Sequence, residues 1–425
     1  MADPDRSRVV RYVALAVIVL VVAALIFPIA DGLSVAGFFG DKTYLLILQD
    51  NDEIRGTGGL MSVMGLVTMH DGNIASLQYY YHYSPQLQAL VKLDGPDSFT
   101  QFFDVNYAQL FESNVQYNFA SFAPKMESDF YNVTGHKVDG VIGVDLTAVE
   151  AVMNITGPVT VSGEVITSRN VADRLHFDIG TMGNATTLGN ATIGIISTLT
   201  FDLAGLVRDS SVPQKLALYS TLQTLENEGH VLFYPSQGFW FRSAASESAP
   251  SGADSLSVVD TNLGSQKADF GVNRTIDYHV QLFSDGSAIS TLTLTYANGC
   301  WWDYDVFSTA LVPPGAELIA VQNATHAFKG PEVTNGDGFT ALSSSLNVSA
   351  NTTGSVTYTY IQPNVVSASG IAHHYDLYIQ KQAGINSYVL NVSVQLPAGA
   401  TMIHTENIGS NQVFDGDAHV SVVYT

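Results

Sequence analysis

The stretch Tyr44–Leu60, YLLILQDNDEIRGTGGL, constrains this chain more than any other. Its opening run, Tyr44–Leu48, is apolar without a break. That is the mark of a strand buried on both faces, and such a strand needs a sheet covered by helices. The run stops in Gln49, Asp50, Asn51, Asp52 and Glu53, so acids and then Arg55 arrive together at a sheet end. Gly56, Gly58 and Gly59 let the backbone turn tightly and come close to whatever Arg55 faces. In open α/β sheets that crevice is where ligands bind.

The following residues extend the same sheet. Met61–Met69 and Ile74–Tyr81 are β-prone and joined by His70-Asp71-Gly72-Asn73, where Asp-Gly accepts the positive φ of a hairpin turn. Ser84–Asn132 mixes short amphipathic segments and loops, rich in aromatics that pack helices onto the sheet or cover an apolar pocket. Val138–Val144 is a second buried strand, and Asp145 is placed to cap a helix over Leu146–Met153. Pro213 opens another helix, with Leu216, Leu218, Leu222 and Leu225 spaced to face the sheet, and His230–Tyr234 returns as a strand. An α/β domain over 41–245, a mixed sheet with flanking helices, follows.

Ser243–Ser257 is small, polar and proline-bearing, so 246–271 reads as a linker and an incoming strand. Beyond Asn273 the period changes to two: Ile276, Tyr278, Val280 and Leu282 alternate with polar residues, and Leu292, Leu294 and Tyr296 alternate back after Asp285-Gly286. Antiparallel strands with one solvated face are implied. LVPPGAELIAVQN (Leu311–Asn323) echoes QLPAGATMIHTEN (Gln395–Asn407) at an offset of 84 residues. The echo implies two tandem β-sandwich modules, 272–345 and 346–425, or one larger sandwich.

Val13–Ala30 is an 18-residue apolar run without a charge, preceded by Arg6, Arg8 and Arg11. It reads as a transmembrane anchor (12–30) behind a cytoplasmic tail (1–11), with everything from Asp41 onward outside the membrane. Three Arg and three Asp balance within the first 40 residues, so the net charge of −22 lies in the remainder. That acidic excess repels polyanions and argues against nucleic acid as a partner. A single cysteine, Cys300, excludes an intrachain disulfide framework and reads as a small buried hydrophobe. Nine N-x-S/T sequons, at Asn132, Asn154, Asn184, Asn190, Asn273, Asn323, Asn347, Asn351 and Asn391, lie beyond the apolar run, as expected of a glycosylated surface protein.

The opening motif resembles that of domain-of-unknown-function family 4012 (DUF4012), an apolar strand followed by N-N-x-E-L-R-x-T-G-G-F. Asn51, Glu53, Arg55, Thr57, Gly58 and Gly59 match, while Asp50, Ile54 and Leu60 depart. Further similar stretches are KVDGVIGVD (Lys137–Asp145), TGPV (Thr156–Val159), NLGSQK (Asn262–Lys267) and YIQKQAG (Tyr378–Gly384). The family is in turn similar to the LytR-CpsA-Psr proteins, which move glycopolymers from a polyprenyl-pyrophosphate carrier onto the cell envelope. That resemblance implies a LytR-CpsA-Psr-like α/β domain and, for an enzyme, a glycopolymer phosphotransferase. In those proteins the region of Tyr79–Tyr83 carries an Arg-Asp pair that grips pyrophosphate, and here the arginine is missing.

Several other chemistries fail on spacing. Asp50-Asn51-Asp52-Glu53 lacks the ligand ladder of an EF-hand, Met61 stands where G-x-G-x-x-G needs its last glycine, and neither G-x-S-x-G nor H-E-x-x-H occurs. Two readings of the opening loop remain. In one, Asp50 and Asp52 hold Mg²⁺ while Asn51, Glu53, Arg55, Thr57, Gly58 and Gly59 bind a polyprenyl-phosphate glycan lipid, with the Arg55 fork on phosphate. In the other, Glu53 and Arg55 pair with each other to hold the loop. The chain is then a structural or adhesive envelope protein whose sandwiches bind neighbouring envelope proteins.

Overall fold

The computed structural model describes residues 41–70, 73–81, 83–93, 100, 104–161, 164–172, 206–207, 209–234, 252–264, 266–323, 331–336 and 338–425. The apolar run Val13–Ala30 and the sequons Asn184 and Asn190 lie outside them. Among the described residues, no helix is long and apolar enough to cross a membrane.

The first part is a five-stranded mixed sheet between two helical layers. Its leading strands are β1 (Lys42–Asp50), β2 (Leu60–His70) and β3 (Asn73–Tyr81), and a two-stranded ribbon of β4 (Leu90–Lys92) and β5 (Tyr107–Gln109) follows. Next come helix α1 (Phe119–Thr134), strand β6 (Gly140–Asp145) and helix α2 (Leu146–Thr156). A second ribbon, β7 (Val159–Val161) with β8 (Glu164–Ile166), precedes helix α3 (Val212–Asn227) and strand β9 (Val231–Tyr234). Strand order is β3-β2-β1-β6-β9, parallel only between β1 and β6. β1 therefore lies at the centre, as its unbroken apolar run demands. Leu45 and Ile47 pack under α1 with Phe119, Phe122, Met126 and Phe130. Tyr44 and Leu46 pack on the other face against α2 and α3. Each such side chain contributes about 1.5–3 kcal/mol by leaving water.

Asp145 caps α2 by accepting from Ala148 N–H at 3.0 Å. Ser211 and Gln214 form a capping box at α3, and Leu218, Leu222 and Leu225 face the core. Leu216 is 52% exposed, so the expected apolar stripe is one residue narrower. Ser84–Asn132, expected as short segments and loops, instead contributes most of the 16-residue α1, whose phenylalanines supply the burial.

The second part starts with β10 (Asp254–Asn262), the strand expected to enter within 246–271. It continues through β11 (Val272–Leu282), β12 (Ala288–Asn298), β13 (Tyr304–Val312), β14 (Glu317–Asn323), β15 (Glu332–Gly336), β16 (Phe339–Val348) and β17 (Thr353–Gln362). It ends with β18 (Val366–Ser369), β19 (Ala372–Gln380), β20 (Tyr388–Gln395), β21 (Met402–Glu406), β22 (Gly409–Phe414) and β23 (Ala418–Tyr424). One sheet runs β15-β16-β13-β10-β19-β23-β21, with β18 on β19, and the other runs β14-β17-β12-β11-β20-β22. A single apolar core with tyrosines from both sheets fills the space between them.

The expected junction at 345/346 falls within β16. Pairing divides the region after β17 instead, because β18–β23 join the earlier strands only through two parallel pairs, β10 with β19 and β11 with β20. Two half-sandwiches thus stand side by side with both sheets continuous. The echoed segments are equivalent corners. Each turns at a glycine of positive φ, Gly315 (83°) or Gly399 (85°), and carries the chain from one sheet to an edge strand of the other, β13 to β14 and β20 to β21. β17 then sits between β14 and β12 as β23 sits between β21 and β19.

Candidate functional site

The end of β1 delivers Gln49 and Asp50 beside a bulge opposite Met61, and the loop 51–59 closes on itself through Glu53 N–H to Asp50 O (3.1 Å) and Leu60 N–H to Glu53 O (3.0 Å). Gln49, Asp50, Asn51, Glu53, Arg55 and Thr57 are all at most 8% exposed. The loop is polar and buried, so every donor needs a partner.

Those partners are in the protein. Arg55 donates Nη2–H to Glu53 Oε1 at 2.7 Å, and Nη1–H to the carbonyls of Asn262 (2.6 Å) and Ile54 (3.2 Å). Asn51 donates to Thr147 Oγ1 (3.1 Å) and to Gly384 O (3.0 Å), and its own Oδ1 accepts from Leu146 N–H at the start of α2. Thr57 accepts from Asn114 Nδ2 at 3.1 Å, and Asn114 also donates to Gly59 O. Gln382 Nε2 bridges Arg55 O (2.9 Å) and Asp260 O (2.7 Å). The Asp50 carboxylate meets the Lys267 ammonium. Asp52 is half-buried, and its carbonyl accepts from Asp269 N–H at 3.1 Å. Among the described residues, no group of three or more His, Cys, Asp or Glu is set to hold a metal ion.

The glycines serve close approach, but toward this chain's own atoms: the Gln49 side chain at Gly58, and backbone at Gly56 and Gly59. A Cβ on Gly56 would lie 2.1 Å from Gln116 O, and one on Gly384, whose φ is +82°, would lie 1.9 Å from Gly58 O. Gly384→Ala combines a left-handed strain with a backbone collision, so it is expected to cost on the order of 3 kcal/mol and to separate the two parts locally. Urea unfolding reads the loss, and limited proteolysis reads the opening around 52–60. An unchanged midpoint would show that this contact contributes nothing.

Electrostatics follow burial. Desolvation pushes the Glu53 carboxyl above its usual range, while Arg55 and Lys267 pull it back and Asp50 adds to the rise. Farther along the joint, Asp145 uses its second oxygen on His230 Nδ1 at 2.6 Å, both side chains being 1% exposed. Capping therefore explains only half of that carboxylate. Burial lowers Lys381 to about 8, against the pull of Asp145, Glu228 and Asp417. A cleft with about 70 Å³ of interior space opens beside it, lined by Gly56, Tyr117, Asn118, Glu228, Lys381 and Gln382 among others. Lys381 Nζ itself is held by the carbonyls of Ile385 and Gln382.

Residues 40–179 match the family described as "Protein of unknown function (DUF4012)". Tyr44–Gly59, Lys137–Asp145 and Thr156–Val159 fall within that DUF4012 match, whereas Asn262–Lys267 and Tyr378–Gly384 lie beyond it. Yet these last two stretches supply Asn262, Lys267, Gln382 and Gly384, which hold Asp50 and the loop 51–59 from the sandwich side. The sequence marked these two stretches only through the resemblance of their residues, and not through their convergence on the loop.

No curated protein matches the chain. Among solved structures, a protein from Legionella pneumophila described as nutrient binding is similar at 10% identity, covering 40% of this chain and 70% of that one, with a TM-score of 0.26. Leukotriene A4 hydrolase from Saccharomyces cerevisiae is similar at 8% identity over 36% of this chain and 29% of that one, with a TM-score of 0.24. An M1 zinc metallopeptidase from Deinococcus radiodurans is similar at 11% identity over 36% and 42%, with a TM-score of 0.22. Likenesses at these scores support no statement about activity.

Proposed function

We propose that this chain is a non-catalytic structural or adhesive component of a cell envelope, anchored by Val13–Ala30 and facing outward, whose sandwich halves form its working surface. The observation that carries this reading is Arg55. A phosphate-gripping arginine must offer its fork to solvent or ligand, whereas this one is 7% exposed and donates to Glu53, Ile54 and Asn262. The DUF4012 loop then serves as a joint. It fixes the α/β domain to β10 and to the loop after β19, so that the sandwich is held rigidly on the domain nearest the membrane. If the α/β domain is similar to the LytR-CpsA-Psr proteins, it keeps their frame without a free arginine at the sheet end.

The test uses full-length protein purified from its own membranes with Mg²⁺. Native mass spectrometry is expected to find no co-purifying polyprenyl phosphate or pyrophosphate, and added polyprenyl phosphate to leave thermal unfolding unmoved. Arg55→Ala is expected to lose about 3–5 kcal/mol of stability, because Glu53 is left buried without its partner. Carrier lipid bound by the wild type, and lost in Arg55→Ala at a temperature where that variant is still folded, would overturn the reading in favour of a carrier-lipid site.

A further inference from the structure

One end of the sandwich carries aromatic rings that its own packing leaves uncovered. Trp301 is 78% exposed and Phe270 is 61% exposed. Trp302 lies between them, its ring centroid 5.2 Å from that of Trp301 and 6.5 Å from that of Phe270, edge-on to both. Isolated exposed apolar residues need no explanation, but two exposed rings joined through a third that packs against the core mark a surface that something covers.

The adjoining turn indicates what covers it. Asn351 opens the sequon Asn351-Thr352-Thr353 in the connection between β16 and β17. Its backbone N–H donates to Cys300 O, the carbonyl immediately before Trp301, at 3.1 Å. Asn298 Nδ2 ties the carbonyls of Trp302 and Val348 together, and Ala350 N–H donates to Asp303. The ring-bearing turn and the sequon turn are thus laced into one rigid piece. Asn351 itself adopts a left-handed φ of 55° at an exposed corner.

Two other sequons, at Asn347 and Asn391, differ in a way that matters chemically. Asn347 donates its amide N–H to Asp305 at 2.5 Å, and Asn391 donates its own to Asp277 at 2.6 Å. Their nitrogens are engaged within the fold.

We infer that Asn351 is an N-glycosylation site whose attached sugar stacks on the Trp301 face, making the aromatic end of the sandwich a glycan-covered surface. The apolar face of a pyranose suits an indole ring, and an acceptor on a turn bonded to the backbone next to Trp301 reduces the ordering cost of stacking. The donor class is a lipid-phosphate-linked oligosaccharide. A bond forms between Asn351 Nδ2 and the anomeric carbon, the bond from that carbon to the phosphate oxygen breaks, and the lipid phosphate leaves with the amide proton. This inference rests on the outward-facing reading above.

The experiment takes full-length protein from its native membranes and maps glycopeptides site by site, after labelling intact cells with a membrane-impermeant amine reagent to establish sidedness. Glycan is expected on Asn351 and absent from Asn347 and Asn391. Asn351→Gln is expected to red-shift tryptophan emission and to raise acrylamide quenching severalfold, and to change neither in a Trp301→Ala background. An outward-facing protein with bare Asn351, or an occupied Asn351 whose removal leaves quenching unchanged, would overturn the inference while leaving the outward reading intact. A protein that the reagent fails to label would overturn both.

Discussion

Arg274→Ala is expected to lose about 3–5 kcal/mol of folding stability, the cost of stranding buried charge. The guanidinium donates Nε–H to Asp260 Oδ2 at 2.8 Å, meets Asp269 Oδ1 through Nη2, and reaches Tyr304 Oη at 2.9 Å. Asp260 is 0% exposed and also accepts from Tyr296 Oη, so truncating the arginine leaves two carboxylates in the core without a cation. Lysine would not rescue the site, because one ammonium cannot reproduce the Nε and Nη2 fork. The effect extends to the joint. Asp269 Oδ2 accepts from Ile54 N–H at 3.0 Å and its N–H donates to Asp52 O, so the same residue that Arg274 holds also holds the loop 51–59. Urea unfolding of Arg274→Ala should therefore show both a lower midpoint and a less cooperative transition, the α/β domain separating before the sandwich melts. In a double-mutant cycle, Asp260→Asn should cost far less in the Arg274→Ala background than in the wild type. A loss below about 1 kcal/mol would mean that solvent reaches these carboxylates, as at an exposed ion pair.

Much of this architecture was legible because period and burial are local signals. The run Tyr44–Leu48 demanded a covered central strand, and β1 alternates its side chains between two helical layers. The alternation around Ile276–Leu282 demanded a sandwich, and β11 buries every second residue. Non-local pairing was not legible. No periodicity shows that the incoming strand expected within 246–271, β10, lies between β13 and β19, or that two echoed halves share both sheets. The opening loop was half legible. Its residue types fit a phosphate and Mg²⁺ site as well as they fit a buried joint, and only the partners distinguish the two. Those partners, Asn262 and Gln382, are 207 and 327 residues from Arg55 in the chain. Acids and an arginine at a sheet end therefore specify an electrostatic cluster, while burial decides whether a ligand or the protein itself completes it.

Asp254 provides the second large expectation, this one in pH. Its side chain is 0% exposed, and its oxygens accept from Tyr375 Oη (2.6 Å), Tyr278 Oη (2.9 Å), Gln362 Nε2 (3.3 Å) and Ser255 N–H (2.7 Å). Unlike Asp260, it has no cation beside it in this network. Desolvation pushes its pKa from 3.8 up to about 6, with the bonds from Tyr375, Tyr278 and Gln362 pulling it partly back. The sign follows from proton binding. Below the unfolded value both states are protonated and the group is neutral toward stability. As pH rises from about 4 to about 6, the unfolded chain releases its proton first, so folding becomes less favourable through that window. Above it a penalty of about 3 kcal/mol remains in full. Asp254→Asn removes the charge while keeping an acceptor for the tyrosines, and its stability should lack this component. The wild type minus Asp254→Asn difference, measured by urea unfolding at closely spaced pH values, is thus expected to fall by about 3 kcal/mol on raising the pH from 4 to 7. Parallel curves would show that the four donors hold the carboxylate ionised at its ordinary pKa, and that hydrogen bonds alone compensate a buried charge in the seam where β10 and β19 join the two halves.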